Sequence, residues 1–400
     1  MKGQWQVAID FGTSNAIVVV GGPNAWISPV GFDGGPTLSV GVFAAENGTL
    51  VVGRDAERGA LRAPGRFEPS PKRRIDEGQV LLGDREYDVS WLIGAVMARA
   101  YSDACRLART RVQAVVLPYP IGWGQRRRTA LATAATAVGL PAPRLVPEPI
   151  AAAFHFIGTR RISVPPGRCV LVYDLGGGTF EATVLRRTPQ GFEVLATGGL
   201  SDVGGNDIDA AIVAYLREQV RPDDTAWGQL TRPESSVELH AARALWDGVR
   251  SAKERLSRAA SVVVSVPLLG VDAPLGREQF EQMARPILER TVEVSREVLG
   301  EARVPPADLA GVFPVDGSSR IPLVTTLLHR ALGVAPTSIE EPHLAVALGS
   351  LIAPSLRGAT RPGAAPVTPP HGMPPQGVRP QNAPPARPQN APPARPQSAP

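Results

Sequence analysis

Two short stretches carry the same layout, 164 residues apart by the spacing of Asp10 and Asp174. "VAIDFGTSNAIVVV" at 7–20 and "VLVYDLGGGTFEATVL" at 170–185 each run an apolar strand into an aspartate. Each then strips the next turn of large side chains and resumes as a second apolar strand. One such unit is an ordinary hairpin whose glycines supply positive φ. Two, one in each half, point to a duplicated α/β chain whose facing halves bring two bare turns and two carboxylates to one cleft.

Phosphate chemistry calls for that arrangement. Backbone N–H groups in a side-chain-free turn approach phosphate oxygens closely, and Thr or Ser hydroxyls add donors. A carboxylate repels phosphate, so a pair beside such a turn makes sense with a metal between them. Hydrated Mg²⁺ fits, because it keeps several waters and needs few protein oxygens. The chain has no G-x-x-x-x-G-K-[ST] loop and no G-x-G-x-x-G opening a helix, which sets aside the P-loop and Rossmann solutions.

Around the hairpins, strand and helix patterns alternate. Residues 112–120 read as a strand, 124–140 as a helix stopped by Gly139, and "EPIAAAFHFIG" as a helix from Glu148 to Gly158. Val237, Ala241, Leu245, Val249, Ala252 and Leu256 mark one face of a long helix, and Phe280, Met283, Ile287, Val294 and Val298 mark another. Four hundred residues hold more than one core.

The two cysteines, Cys105 and Cys169, suggest no disulfide framework, and no signal-like or membrane-spanning run is visible. A soluble cytoplasmic protein is the expectation. From about 356 the composition turns to Pro, Ala, Gln and Arg, ending in the repeat "RPQNAPPA" at 379–386 and 387–394. Such a segment buries almost nothing, so the expectation is a disordered tail of polyproline-II character that solubilises the chain or binds a partner protein. All the formal +5 charge sits in this tail, whose five arginines have no acid beside them. The body is therefore balanced, which argues against a nucleic-acid-binding domain. The five histidines show no metal-like spacing.

Asp10-Phe-Gly-Thr-Ser-Asn15 and Asp174-Leu-Gly-Gly-Gly-Thr-Phe180 resemble the two phosphate loops of the actin, sugar-kinase and heat-shock ATPase superfamily. "LVPEPIAAAF" (145–154), "GGNDID" (204–209), "REQFEQMARPILERT" (277–291), "GSSRIP" (317–322) and "AVALG" (345–349) follow in the order of one branch. That branch is the nucleotide-binding domain of the seventy-kilodalton heat-shock (DnaK) chaperones, and the resemblance spans about residues 5–352. It implies an α/β, actin-like (ribonuclease H-like) duplicated ATPase fold, with two lobes around a central nucleotide cleft. The expected divisions are lobe I at 1–165 with an insert at about 36–110, lobe II at 166–355 with an insert at about 210–305, and the tail at 356–400.

The resemblance also implies roles. Gly12, Thr13, Ser14 and Asn15, with Gly176, Gly177 and Gly178, would hold the phosphates of ATP or ADP. Asp10 and Asp174 would bind Mg²⁺ through its waters. Glu148 would place the attacking water, Thr179 would sit by the γ-phosphate, and Lys72 would contact it. Gly204 and Gly205 would form a further phosphate-side turn. Lys253, Ser257, Gly317, Ser318 and Arg320 would line the adenosine side. Two of these residues have a second reading: Lys72 as part of a solvated basic cluster with Arg73 and Arg74, and Glu148 as a residue favouring a helix N-terminus.

The sequence departs from the family pattern on the adenosine side. Glu254 stands where the family carries an arginine that stacks on the base, Arg250 where it carries an acid, and Asp316 where it carries the first of two glycines. Pro314 removes a donor from an expected strand. Weakened or altered nucleotide binding is the expectation. "GSLIAPSLRGATRPG" (349–363) runs into the proline tail, where the chaperones continue into a linker and a peptide-binding domain. An ATP-hydrolysing conformational switch read by a partner protein is the leading reading. A catalytically weak or inactive scaffold that binds partner proteins is the alternative; a filament-forming bacterial actin relative is a third reading, against which the chaperone-like motifs between 145 and 322 argue.

Overall fold

The apolar runs beside Asp10 leave no polar face, and a strand of that kind is stable only where both faces are covered. The computed structural model describes residues 4–159, 162–220 and 224–354, and the predicted tail lies outside them. In it, β1 (Gln6–Phe11) and β2 (Asn15–Gly21) form the first hairpin. β3 (Ile27–Pro29) and β4 (Leu38–Ser39) both pair with β2. A small sheet of β5 (Val42–Ala44), β6 (Leu50–Val52) and β7 (Phe67–Glu68) follows, with α1 (Arg54–Arg62) beside it. Next come the hairpin β8 (Gln79–Leu82) and β9 (Arg85–Asp88), then α2 (Val89–Ala108), capped by the Asp88 carboxylate. β10 (Ala114–Tyr119), α3 (Gln125–Ala137), β11 (Arg144–Pro147) and α4 (Glu148–Gly158) complete this half. β10 runs parallel to β1, giving the sheet order β11-β10-β1-β2-β3.

The second half repeats the plan. β12 (Cys169–Leu175), β13 (Phe180–Thr188) and β14 (Gly191–Leu200) form an antiparallel meander. After α5 (Gly205–Val220), α6 (Asp224–Thr231) and α7 (Ser236–Leu256) comes the hairpin β15 (Ser261–Val266) and β16 (Val271–Gly276). The chain continues through α8 (Arg277–Glu301), β17 (Leu309–Val315), α9 (Pro322–Leu332) and α10 (Ala345–Ile352). β17 is parallel to β12, so β17-β12-β13-β14 matches β10-β1-β2-β3 strand for strand. This is the duplicated actin-like arrangement, two lobes about a cleft. Pro314 is accommodated because β17 ends the sheet order, where a missing N–H breaks no inner ladder.

Each sheet has its own core on its outer face. The first packs Val7, Ile9, Val18 and Leu117 against α2 and α3, and the second packs Leu171, Tyr173 and Val184 against α5, α7 and α8. A third core joins the inner faces: Ala8, Val19 and Val116 share it with Val170, Val172 and Phe313 through α4 and α10. Phe156 of α4 stacks on Phe313 at 4.3 Å. The two helices cross so closely that a Cβ at Gly349 would overlap the Ala151 carbonyl oxygen, so only glycine fits there. On α7 the expected apolar face is buried apart from Val237, which is exposed in the first turn, and on α8 Met283, Ile287 and Val294 are only partly covered.

Candidate functional site

The two glycine turns close in the same way. The Gly12 N–H donates to the Asn15 carbonyl at 3.0 Å, and the Gly176 N–H donates to the Thr179 carbonyl at 3.0 Å. They face each other: a Cβ placed on Gly177 would lie 3.4 Å from Ser14 Oγ. Each is braced from behind by a serine hydroxyl, Ser70 donating to Thr13 O at 2.7 Å and Ser318 to Gly176 O at 3.2 Å. Between them opens a cleft of about 1130 Å³.

The cleft gathers Asp10, Gly12, Thr13, Ser14 and Asn15 from the first turn, and Asp174, Gly176, Gly177 and Thr179 from the second. Lys72, Glu148, Lys253, Ser257, Gly317, Ser318 and Arg320 line it too. Three predicted residues lie behind its wall. Gly178 is covered by the Arg73 guanidinium, which a Cβ there would overlap. The amides of Gly204 and Gly205 are spent inside the protein, on Asp207 Oδ2 at 2.8 Å and Gly176 O at 2.9 Å. Gly204 sits so close to the Gly177–Gly178 backbone, 2.6 Å from a would-be Cβ, that it supports the second turn from below.

Lys72 is not part of a solvated cluster. Its Nζ donates to Glu148 Oε1 at 3.2 Å, with both side chains only 13% exposed, while Arg74 turns away to Glu68 and Glu77. The Lys72 ammonium also lies 5.4 Å from the centre of the Trp123 ring. Glu148 opens α4, so it lies at the helix N-terminus and points into the cleft as well. Burial pulls the Lys72 pKa down, but Glu148 and Asp10 outweigh this and hold it above its ordinary value.

The acids outnumber that ammonium. Asp10 is 9% exposed and its carboxylate accepts no hydrogen bond among the described residues. Its pKa is raised well above its ordinary value by burial and then by Glu148 and Asp316. Asp174 is raised by burial, then by Asp316 and Glu148. Asp316 is pushed up to about 6 by burial and then by Glu148, with Lys72 and Asp174 pulling the other way. The sequence reading missed Glu181, which lines the cleft and is pushed up to about 7 by burial and Glu148. Hairpin register was the available signal: a four-residue turn after Leu175 sets Glu181 opposite Asp174. Arg73 and Asn206, also on the cleft, were missed as well.

An all-oxygen, acid-rich wall with an unpartnered buried carboxylate fits a hard divalent cation. No group of three His, Cys, Asp or Glu among the described residues closes to direct-ligand spacing. From the far side, α7 contributes Arg250, Lys253 and Glu254 to the same cleft, with Ser257 just past its end. Lys253 is buried and donates to Gly205 O at 2.7 Å and Asp209 Oδ2 at 2.9 Å; burial pulls it below its ordinary value even beside Asp209. Arg250, Glu254 and Arg320 are exposed on the rim. No helix among the described residues is long and apolar enough to cross a membrane, and both cysteines are free thiols.

A family model described as Hsp70 protein matches residues 72–362. The match begins after the first hairpin, which the structure supplies as the twin of the second. With well over half its length matched on a duplicated actin-like fold, the chain belongs to the Hsp70 family of chaperone-like, ATP-binding proteins.

Proposed function

We propose that this chain hydrolyses Mg·ATP and uses the reaction as a conformational switch between the lobes at 1–165 and 166–355. The observation that carries the reading is the repeated turn: two identical Gly N–H closures facing one another across a cleft that also holds the Lys72–Glu148 pair. Thr13 and Ser14 on one side and Gly176, Gly177 and Thr179 on the other would donate to the phosphates. Asp10 and Asp174 would hold the waters of the cation, whose part is to neutralise developing charge on the phosphates. Glu148, fixed by Lys72, would orient the attacking water, and the closed walls would exclude others. Lys253, Ser257, Gly317, Ser318 and Arg320 would seat the nucleoside, with the Arg320 guanidinium available over the base.

Purified protein should bind Mg·ATP and release phosphate, and Asp10→Asn should lower turnover by roughly 10³-fold. Equal phosphate release from both proteins would favour the alternative of an inactive scaffold, for which the cleft residues Arg250, Glu254 and Asp316 speak. A partner protein reading the lobe movement is part of the proposal, and a change in proteolytic protection between ATP and ADP forms would support it.

A further inference from the structure

The cleft carries its charge unevenly. Around the glycine turns, the groups that weigh most on Asp10, Asp174 and Asp316 are one another, Glu148, Glu181 and Lys72. Along the far side run cations instead: Arg250, Lys253 and Arg255 of α7, and Arg258 just past its end. Arg320 lines the cleft as well. Lys253 is already engaged by Asp209 Oδ2 and Gly205 O. Arg250, Arg255, Arg258 and Arg320 are exposed and form no ion pair among the described residues. Glu254 is the one acid that α7 adds to the lining.

This is the side on which the nucleoside would sit, and a base and a ribose carry no charge to answer these guanidiniums. Arg320 has a use over the base face. Arg255 and Arg258 lie at the C-terminal end of α7, where the helix dipole favours a cation. Arg250 lies more than a turn inside the helix, beyond the reach of that dipole. It shares a stripe with Lys253, Glu254, Ser257 and Arg258, at three- and four-residue steps. A guanidinium grips phosphate through two parallel N–H bonds. Nucleotide sites on other folds meet a free ribose 2′-hydroxyl with an acid and a phosphorylated one with an arginine. The cleft, at about 1130 Å³, has room for such a group, since pockets for drug-sized ligands run to about 1,000 Å³. On the reading of the cleft as a nucleotide site, we infer that Arg250, with Arg258 on the same stripe, binds a phosphate on the ribose. The cleft then prefers a nucleotide phosphorylated at its 2′- or 3′-hydroxyl to one with a free ribose.

Titration calorimetry on the full chain tests this with ADP, 2′-phospho-ADP and 3′-phospho-ADP. Mg²⁺ is present throughout, in about 0.15 M salt, where long-range attraction is screened. One of the two phosphorylated nucleotides should bind the wild type about tenfold or more tightly than ADP does, and which one tells the hydroxyl. Arg250→Gln should narrow that ratio to about threefold, and Arg250→Gln/Arg258→Gln should bring it close to unity. Should the wild type bind ADP as tightly as both derivatives, or should the double variant keep the full ratio, the inference is overturned while the ATP reading stands. Absence of binding of all three nucleotides to the wild type would overturn both.

Discussion

The two hairpins share a backbone and differ in what surrounds their aspartates. Asp10 faces Ile17 across the ladder, and the parallel neighbour strand ends at Tyr119 and Pro120. Asp174 faces Glu181, and its parallel neighbour leads into Asp316. The first aspartate has an apolar partner across its ladder, with Glu148 and Lys72 as its charged neighbours, while the second has Glu181 across its ladder and Asp316 just beyond the neighbouring strand. Duplication has preserved the amide geometry that serves phosphates, while the charge that must be neutralised has accumulated on one side. Geometry is symmetric here and electrostatics is not.

The sharpest break of this comparison is to neutralise each aspartate in turn. Asp10→Asn and Asp174→Asn should each cost roughly 10³-fold in phosphate release, because in the proposed function both hold the waters of one cation. If Asp174→Asn costs far less, the acids around it substitute for one another and the two halves are not equivalent. Steady-state assays across a Mg²⁺ series would read this directly.

The next effect is on folding. Lys72→Met removes the ammonium that Glu148 leans on, leaving a nearly buried carboxylate without its partner. Breaking a buried pair from one side costs about 3 kcal/mol or more, read as a shift in the denaturation midpoint. The double variant Lys72→Met/Glu148→Gln should recover most of that stability and none of the turnover, which separates the structural role of the pair from its chemical one.

Much of this was legible beforehand, for physical reasons. The strand-Asp-Gly-strand repeat gave away the fold because apolar runs with a side-chain-free turn have few other uses. Gly139 stopped its helix where expected, with φ 81°. The site residues on short local turns could be read in the same way. What could not be read was anything set by packing between distant segments. The Lys72–Glu148 pair joins residues 76 apart in sequence, so the sequence left Lys72 with two readings and the fold pairs it with Glu148. Gly204 and Gly205 look like a phosphate turn in sequence, yet their amides are consumed by Asp207 and Gly176. Glu181 stood in the second apolar strand without a signal of its own; the groups that act on it, Glu148 and Lys72, come from the other half of the chain.

The acid-rich side also predicts a pH signature. Glu181 has its folded pKa raised from 4.5 to about 7, and Asp316 from 3.8 to about 6. A raised carboxyl binds its proton more tightly folded than unfolded, so its stabilisation is complete below the unfolded value and is lost as pH rises through the folded one. Without cation, the chain should therefore become less stable between about pH 4 and pH 7. Glu181→Gln should remove about 2–3 kcal/mol of that dependence, while Ile17, its counterpart in the first hairpin, contributes none. Denaturation midpoints at pH 5 and pH 7.5 would show the slope, and added Mg²⁺ should flatten it by favouring the ionised acids. A slope unchanged in Glu181→Gln would mean that Glu181 is not one of the groups responsible.

The smallest test concerns the serines behind the turns. Ser70 is the one side chain among the described residues that donates to Thr13 O, so Ser70→Ala leaves that carbonyl without its donor. About 1 kcal/mol should be lost. Ser318 shares Gly176 O with the Gly205 N–H, and its bond is longer, so Ser318→Ala should cost about half as much. Hydrogen exchange should follow the same order, with the amides at 12–15 opening more in Ser70→Ala than those at 176–179 do in Ser318→Ala. The second turn keeps two backbone braces when its serine is gone, Gly205 N–H on Gly176 O and Asn206 N–H on Gly177 O; the first keeps one longer bond, Val40 N–H to Ser14 O at 3.2 Å, and is the one expected to loosen more. Equal losses in the two variants would show that the Gly205 brace carries no weight, and that the second hairpin owes its rigidity to the sheet alone.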